Sequence, residues 1–392
     1  MRPACLVDER EFHRLGLAID AQARIAGELG PAEDIHWVRA PGRVNLIGEH
    51  TDYNEGFVLP LAIDYWCVVA GRPFETVRVR SLDADGQPEI AADGSAEPGS
   101  VEPAWGRYVA GVLRELAARG RPAVGIDAVL ASEVPLGAGL SSSAALEVAT
   151  ALALADAAGW TLDRVELAEA CRAAEENATG VPCGIMDQLV SIAAVEGTAL
   201  LIDCRSLALR PVPLPEDLAL VAVHSGIARS LAAGEYAKRR RGCEDLARKL
   251  GVRALRDATE AQVADEPLGR HVVSENARVL ASVDALEVGD AEKLGRILSA
   301  GHASLRDGFR ISTPELDLLV QELVAAGAYG ARLTGGGFGG CVVAVCAAGS
   351  VAAITERAMQ GYRQATSLEP TRYDCLPVGG AHSFHPDRDA PT

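Results

Sequence analysis

One segment limits the folds open to this chain more than any other: Pro135-Leu136-Gly137-Ala138-Gly139-Leu140-Ser141-Ser142-Ser143-Ala144-Ala145. The patterning predicts a strand before it, Gly125 to Ser132. After it comes an alanine- and leucine-rich helix from Ser141 to Ala158, apolar on all sides. Gly137 and Gly139 permit positive φ and let a ligand approach backbone that carries no Cβ. Ser141, Ser142 and Ser143 occupy the helix start, where unpaired N–H groups and the positive end of the macrodipole favour an anion. Their hydroxyls can donate hydrogen bonds or coordinate a cation. A glycine turn ahead of a serine-capped helix accounts for the same residues. No Gly-Lys-[Ser/Thr] occurs here, so this is not a Walker A loop.

A second glycine-rich stretch, Thr334-Gly335-Gly336-Gly337-Phe338-Gly339-Gly340, formally satisfies GxGxxG. The apolar run after it, Cys341 to Val345, reads as a strand, whereas a dinucleotide fingerprint opens a helix. A tight hairpin explains the glycines equally well. A third stretch runs Arg39-Ala40-Pro41-Gly42-Arg43-Val44-Asn45-Leu46-Ile47-Gly48-Glu49-His50-Thr51-Asp52-Tyr53-Asn54. It sets Arg, Asn, Glu, His, Asp and Tyr between two strand candidates. Glu49 and Asp52 can each accept paired hydrogen bonds from vicinal hydroxyls, and His50 can donate or accept. The stretch reads as a polyol-binding loop, against the alternative of a charged surface loop.

Charge narrows the ligand class. Thirty-seven Lys and Arg against 54 Asp and Glu leave a net charge of −17 over 392 residues. That balance disfavours nucleic acid and anionic membrane surfaces as partners. A small anion remains open if backbone amides, a few cations or a metal prepare its site. Lys238-Arg239-Arg240-Arg241 winds round a helix and reads as a solvated face with local salt bridges. The N-terminus lacks the apolar core of a signal peptide, and no run reaches the ~18 apolar residues of a membrane span. Nine scattered cysteines form no CxxC pair, as expected of free thiols in a cytoplasmic protein. His382 and His385 fall in a tail expected to be mostly disordered.

At roughly 150 residues per domain the length suggests two domains, of mixed α+β type. Helical spacing appears over residues 1–30 (Phe12, Leu15, Leu17, Ile19). Strands are expected at Ile35 to Val38, Phe57 to Ile63 and Tyr65 to Ala70, and turn or loop over 83–104. Tyr108 to Ala118 reads as a helix, and Thr161 as the N-cap of another running to about Asn177. Pro211, Pro213 and Pro215 mark a boundary near 205–220. Helices follow at 229–250, 286–300 and 314–327, with Cys341 to Cys346 as the closing strand.

Read together, these stretches are familiar. Arg39 to Tyr53 resembles the signature loop of galactokinases, and Pro135 to Ala145 resembles the ATP-binding motif of the GHMP kinase superfamily. Leu333 to Gly340 resembles that superfamily's third motif. Gly180-Val181-Pro182-Cys183-Gly184-Ile185-Met186-Asp187-Gln188 resembles the galactokinase catalytic segment. All four lie in the family's order.

The resemblance implies a two-domain GHMP kinase fold: residues 1–212 like ribosomal protein S5 domain 2, and residues 213–392 ferredoxin-like and closing the cleft. It implies sugar contacts from Arg43, Glu49, His50, Asp52, Gly184, Asp187 and Tyr236. Asp187 is the expected catalytic carboxylate, with Arg43 beside it stabilising its charge. ATP is expected on Pro135, Gly137, Ala138, Gly139, Leu140, Ser141, Ser142, Ser143, Gly336 and Gly337, with Trp105 on the adenine side. Mg²⁺ is expected on Ser142 and Glu175. Glu175 shares a helix face with Ala168 and Cys171, and a carboxylate turned inward needs such a partner.

The implied reaction is phosphorylation of the anomeric hydroxyl of α-D-galactose by ATP. N-acetylgalactosamine, galacturonate and arabinose are the alternative sugars. A non-catalytic galactose and ATP sensor is a further alternative; Ser143-Ala144 and an intact Asp187 stand against it. The same reading expects a monomer, or at most a weak homodimer.

Overall fold

The structure is a computed structural model that describes residues 24–25, 27–29, 35–228 and 232–385. The helical spacing read at Phe12 to Ile19 lies outside them.

In chain order come the strands β1 (His36–Asn45), β2 (Phe57–Val58), β3 (Pro60–Phe74), β4 (Thr76–Ser81) and β5 (Glu89–Ala91). Helix α1 (Gly106–Ala118) and strand β6 (Gly125–Ser132) precede three helices, α2 (Ser142–Ala157), α3 (Arg164–Thr179) and α4 (Met186–Ala193). Strands β7 (Thr198–Asp203), β8 (Ala208–Pro213) and β9 (Leu218–His224) lead to helices α5 (Ala232–Leu250), α6 (Pro267–Glu287), α7 (Ala291–Ala303) and α8 (Pro314–Ala325). Strands β10 (Gly330–Leu333) and β11 (Cys341–Ala347), helix α9 (Val351–Thr366), and strands β12 (Thr371–Cys375) and β13 (His382–Phe384) complete the described chain.

The strands form three sheets, ordered β13-β1-β3-β6-β4-β5, β10-β11-β9-β12 and β2-β7-β8. Every pair is antiparallel except β4 with β6. Helices α2 and α4 pack on one face of the six-stranded sheet with α1 and α3 outside them, and Ile25, Leu29, Trp37 and Val129 pack on the other face. Helices α7, α8 and α9 back the four-stranded sheet. One apolar cluster runs from Leu61 and Val148 through to Leu220 and Val343, so the sheets share a core. This is the expected α+β architecture.

Several expectations need correction. The runs read as Phe57 to Ile63 and Tyr65 to Ala70 are mostly one long strand, β3. The 83–104 stretch carries the short edge strand β5, because Ile90 can bury its side chain. Asp163, not Thr161, caps α3, accepting from the Val165 amide at 2.9 Å. Pro211 and Pro213 lie inside β8, an edge strand where a missing N–H breaks no ladder. The helix expected at 286–300 starts at Ala291, after Gly289 (φ 70) and the Asp290 cap.

Helix α6 had no counterpart in the sequence reading, since it buries His271, Glu275 and Asn276 and so disguises its apolar period. The chain also continues past β11 through α9, β12 and β13. His382 sits in β13, opposite Arg39 of β1, rather than in a disordered tail. That pairing covers the outer edge of β1.

Candidate active site

Leu46 and Ile47 are fully buried. Each contributes roughly 1.5–3 kcal/mol by leaving water, and together they anchor the polar stretch that follows β1. Past that anchor, Gly48 (φ 107) and His50 (φ 63) turn the chain so that Glu49, His50 and Asp52 face a cavity of about 260 Å³. Ser141 (φ 61) and Phe338 (φ 61) share the left-handed conformation, one in each glycine-rich loop. Such strain, of order 1–3 kcal/mol per residue, persists where the surroundings over-determine it, and it concentrates at functional sites.

Strand β1 delivers Arg43 and helix α4 delivers Asp187 in its first turn. Arg43 Nε donates to Asp187 Oδ1 at 2.8 Å and Nη2 to Oδ2 at 2.7 Å, a bidentate pair. The third Arg43 nitrogen donates to the Gly139 carbonyl at 2.8 Å, and the Arg43 amide to the Leu140 carbonyl at 3.0 Å. The glycine-rich loop is thus fastened to the same arginine. Ser141 Oγ donates to Asp187 Oδ2 instead of capping α2, which starts without a side-chain cap. The first amides of α2 and the Ser142 hydroxyl therefore stand at the cavity as an anion-favouring wall.

On the acidic side, Ser143 Oγ donates to Glu175 Oε1 at 2.8 Å and Gln188 Nε2 to Oε2 at 2.8 Å. Burial, and then the charge of Asp187, raise the Glu175 carboxyl above its ordinary range. Behind it Glu147 is wholly buried and pushed well up, first by burial and then by Glu175.

In the polar loop, Asp52 Oδ1 accepts from the Tyr53 amide at 2.9 Å. Burial pushes Asp52 up to about 6. His50 Nδ1 meets the Tyr53 hydroxyl at 2.8 Å, and its ring lies 5.2 Å from Tyr236 and 4.8 Å from Phe309. Glu49 is 2% exposed, and its oxygens accept from Asn45, Gly335 and Arg332. With so much of the carboxylate engaged by the protein, the paired acceptance from vicinal hydroxyls expected of Glu49 does not fit.

All seven sugar-side residues expected from the sequence line the one cavity, as do Gly137, Gly139, Ser141, Ser142, Ser143, Gly336 and Glu175. Trp105, Pro135, Ala138, Leu140 and Gly337 do not. Trp105 donates to the Asp85 carbonyl at 3.1 Å. Ala138 and Leu140 are buried, and a Cβ on Gly337 would stand 2.5 Å from the Ile311 carbonyl. Cys183, Met186 and Gly335, which lie in the same motif stretches but carry no expected contact, also line the cavity. The basic run on α5 is less solvated than expected. Lys238 pairs with Glu235, but Arg239 reaches the Phe309 carbonyl at 2.8 Å and Arg240 the Cys183 carbonyl at 3.2 Å.

The chain is also similar in sequence and fold to known proteins. Residues 15–73 match the galactokinase galactose-binding signature, residues 107–194 the GHMP kinases N terminal domain and residues 282–363 the GHMP kinases C terminal model. A galactokinase of Roseiflexus sp. (strain RS-1) is 46% identical over 360 residues, which is 88% of this chain and 91% of that one. A galactokinase of Streptomyces coelicolor is 45% identical over 358 residues, 87% of this chain and 92% of that one. The crystal structure of Lactococcus lactis galactokinase complexed with galactose superposes with a TM-score of 0.88 at 28% identity, covering 94% of this chain and 100% of that one. A mevalonate kinase, at 18% identity and a TM-score of 0.64 over 88% of this chain and 99% of its own, shares the fold alone. Identity near one half, sustained over 88% of the length, goes beyond a shared fold: the chain belongs to the galactokinase family of GHMP sugar kinases.

Proposed function

We propose that this cavity transfers the γ-phosphoryl group of ATP to the anomeric C1 hydroxyl of α-D-galactose. The products are galactose 1-phosphate and ADP, and the reaction is the first committed step of galactose breakdown. One observation carries the reading. Asp187 is held by Arg43 and Ser141 where the polyol-type loop meets the uncapped N-terminus of α2. A proton acceptor at the junction of a sugar-facing wall and a phosphate-facing wall is what phosphoryl transfer to a hydroxyl requires.

In this reading Arg43, Glu49, His50, Asp52, Gly184, Asp187 and Tyr236 bind the sugar. Asp187 orients the attacking hydroxyl and takes its proton. Arg43, already beside that oxygen, balances charge on the group in transfer. Gly137, Gly139, Ser141 to Ser143 and Gly336 receive the phosphates, and Trp105, Pro135, Ala138, Leu140 and Gly337 shape the nucleotide side from behind.

The donor set fits Mg²⁺. A carboxylate and hydroxyls are hard oxygen donors, and a cation would favour the ionised form of Glu175, which burial and then the Asp187 charge disfavour. Ser142 and Glu175 would hold the ion, with Ser143 and Gln188 fixing the carboxylate. When bound, it neutralises phosphate charge.

The division into residues 1–212 and 213–392 belongs to the same reading; between Pro213 and Leu218 the chain passes from the three-stranded to the four-stranded sheet, and of the described strands that follow only β13 returns to the six-stranded sheet, beside β1. So does a monomer acting in the cytoplasm. No helix among the described residues is long and apolar enough to cross a membrane.

Steady-state phosphorylation of galactose, N-acetylgalactosamine, galacturonate and arabinose tests the assignment. The highest kcat/KM is expected for galactose. A clearly higher value for another sugar removes it, and ligand binding without any sugar phosphate points to a sensor.

Asp52 gives a pH signature. Burial raises its carboxyl most and the Asp187 charge adds to that, while the Tyr53 amide, Arg240 and Arg43 oppose it. Below pH ~6 it takes up a proton and loses an acceptor position for a sugar hydroxyl. The sugar KM is therefore expected to rise as pH falls through 6, up to about tenfold per unit. Its effect on stability runs the other way. A folded value above the unfolded one favours the native state fully below pH ~4, and that contribution fades as pH rises through 6. A sugar KM flat from pH 5 to 8 would remove Asp52 from the sugar.

A further inference from the structure

We propose that Arg332 is a positioning residue for the sugar: it fixes the Glu49 carboxylate so that one acceptor position faces the cavity, and Glu49 therefore reads a single hydroxyl. The inference rests on the reading that Glu49 touches the sugar.

Arg332 sits in the short strand β10 and is fully buried. Its Nη2 donates to Glu49 Oε2 and stands 2.7 Å from Glu275 Oε1 on α6. Glu275 is itself fixed. It accepts from the Gly48 amide at 3.1 Å and from Arg278 Nε at 2.7 Å. His271, one turn earlier on α6, meets the Glu49 carbonyl at 3.1 Å. The other Glu49 oxygen, Oε1, accepts from Asn45 Nδ2 at 3.0 Å and from the Gly335 amide at 3.3 Å.

A carboxylate has about four acceptor positions. Three are occupied by the protein, and the remaining one is on Oε2, the oxygen that Arg332 holds. Rotation about the terminal bond of Glu49 would break all three contacts at once, so the direction of the free position is set by β10 and α6.

A role in stability alone accounts poorly for this arrangement. Apolar residues of similar size often replace a buried ion cluster with no loss of stability. Here Arg332 Nη1 has no hydrogen-bond partner among the described residues, and α7 makes room for it with Gly301, whose Cβ would stand 2.7 Å from that nitrogen. An unpaired buried donor is a cost that an ion pair kept only for stability does not need.

The test is steady-state kinetics of Arg332→Lys and Glu49→Gln on galactose and on each of its monodeoxy analogues, with ATP kinetics and thermal melting alongside. Lysine keeps the charge but loses the planar fork. Arg332→Lys is expected to lower kcat/KM for galactose roughly tenfold or more, through the sugar KM, with the ATP KM unchanged. For one analogue, the one lacking the hydroxyl that Glu49 reads, that loss should vanish, and Glu49→Gln should single out the same analogue.

If Glu49→Gln costs nothing with any sugar, the placement of Glu49 at the sugar fails. If Glu49→Gln is selective but Arg332→Lys costs the same with every analogue, or falls on ATP and kcat alike, the role of Arg332 is overturned. Selectivity for two analogues would overturn the single-hydroxyl reading. Should Arg332→Lys fail to fold, Glu275→Gln removes the second anchor while leaving Arg332 in place. It must then show the same analogue dependence, at smaller magnitude.

Discussion

Asp187→Asn is expected to lower kcat about 10²- to 10⁴-fold while ATP affinity stays within a few-fold of the parent. The amide keeps the shape of the carboxylate but cannot take a proton from an attacking hydroxyl, and that loss is felt in the chemical step. Its NH₂ group also faces donors. Arg43 Nε and Nη2 and Ser141 Oγ all point at the present oxygens, so one Asn atom must meet N–H or O–H head-on. Arg43, only 5% exposed, would keep the Gly139 carbonyl and the single Asn oxygen in place of its bidentate carboxylate partner. Some loss of thermal stability therefore accompanies the kinetic loss. The two are separated by calorimetric ATP binding at a temperature where the variant is fully folded. In the proposed reading the phosphates meet the first amides of α2 and the Ser142 hydroxyl, none of which bonds to Asp187, so ATP binding is expected to survive. A variant that keeps near-parental kcat would leave Asp187 a structural partner of Arg43 and would send the search for a proton acceptor elsewhere in the cavity.

What could be read without coordinates was chemistry that is local in the chain. Gly137, Gly139 and the three serines lie within seven residues, and their meaning follows from the strand before them and the helix after. Glu49, His50 and Asp52 stand out because a surface loop needs no such mixture of functional groups. The residues that went unread act across long separations. Arg332 meets Glu49 from 283 positions away, and Glu275 reaches the Gly48 amide from 227. The available signal was a lone arginine between Ala331 and Leu333, a charge where an apolar strand expects none. Helix α6 escaped because the residues it buries, His271, Glu275 and Asn276, are those that a periodicity argument counts as solvent-facing. Both omissions have one cause: a buried polar residue looks exposed until its partner is known. The Ser143 bond to Glu175 is a milder case. The resemblance gave Ser142 and Glu175 to one Mg²⁺ and no role to the Ser143 contact; Ser143 bonds Glu175, while Ser142 and Glu175 line the same cavity.

Gly184→Ala is expected to raise the sugar KM about 10- to 100-fold with a much smaller change in kcat. The backbone at Gly184 is not in the left-handed region, so alanine meets no conformational penalty there. The effect is purely steric. A Cβ would stand 1.5 Å from Asp52 Oδ2 and 2.2 Å from its Cγ, far inside van der Waals contact. Gly184 has little room to retreat, since the Cys183 carbonyl beside it is held by Arg240. Asp52 must swing away, giving up the Tyr53 amide and its place at the cavity. Gly180→Ala supplies the contrast. That glycine ends α3 at φ 71, and none of the described residues lies within 4 Å of a Cβ there. Alanine at Gly180 should cost about 1–2 kcal/mol of stability through backbone strain and leave the sugar KM unchanged. Two glycines four residues apart thus separate the two uses of the residue, one read by melting temperature and the other by substrate affinity. Equal KM values for the two variants would mean that Asp52 does not depend on the space above Gly184, and its assignment to the sugar would fall with that.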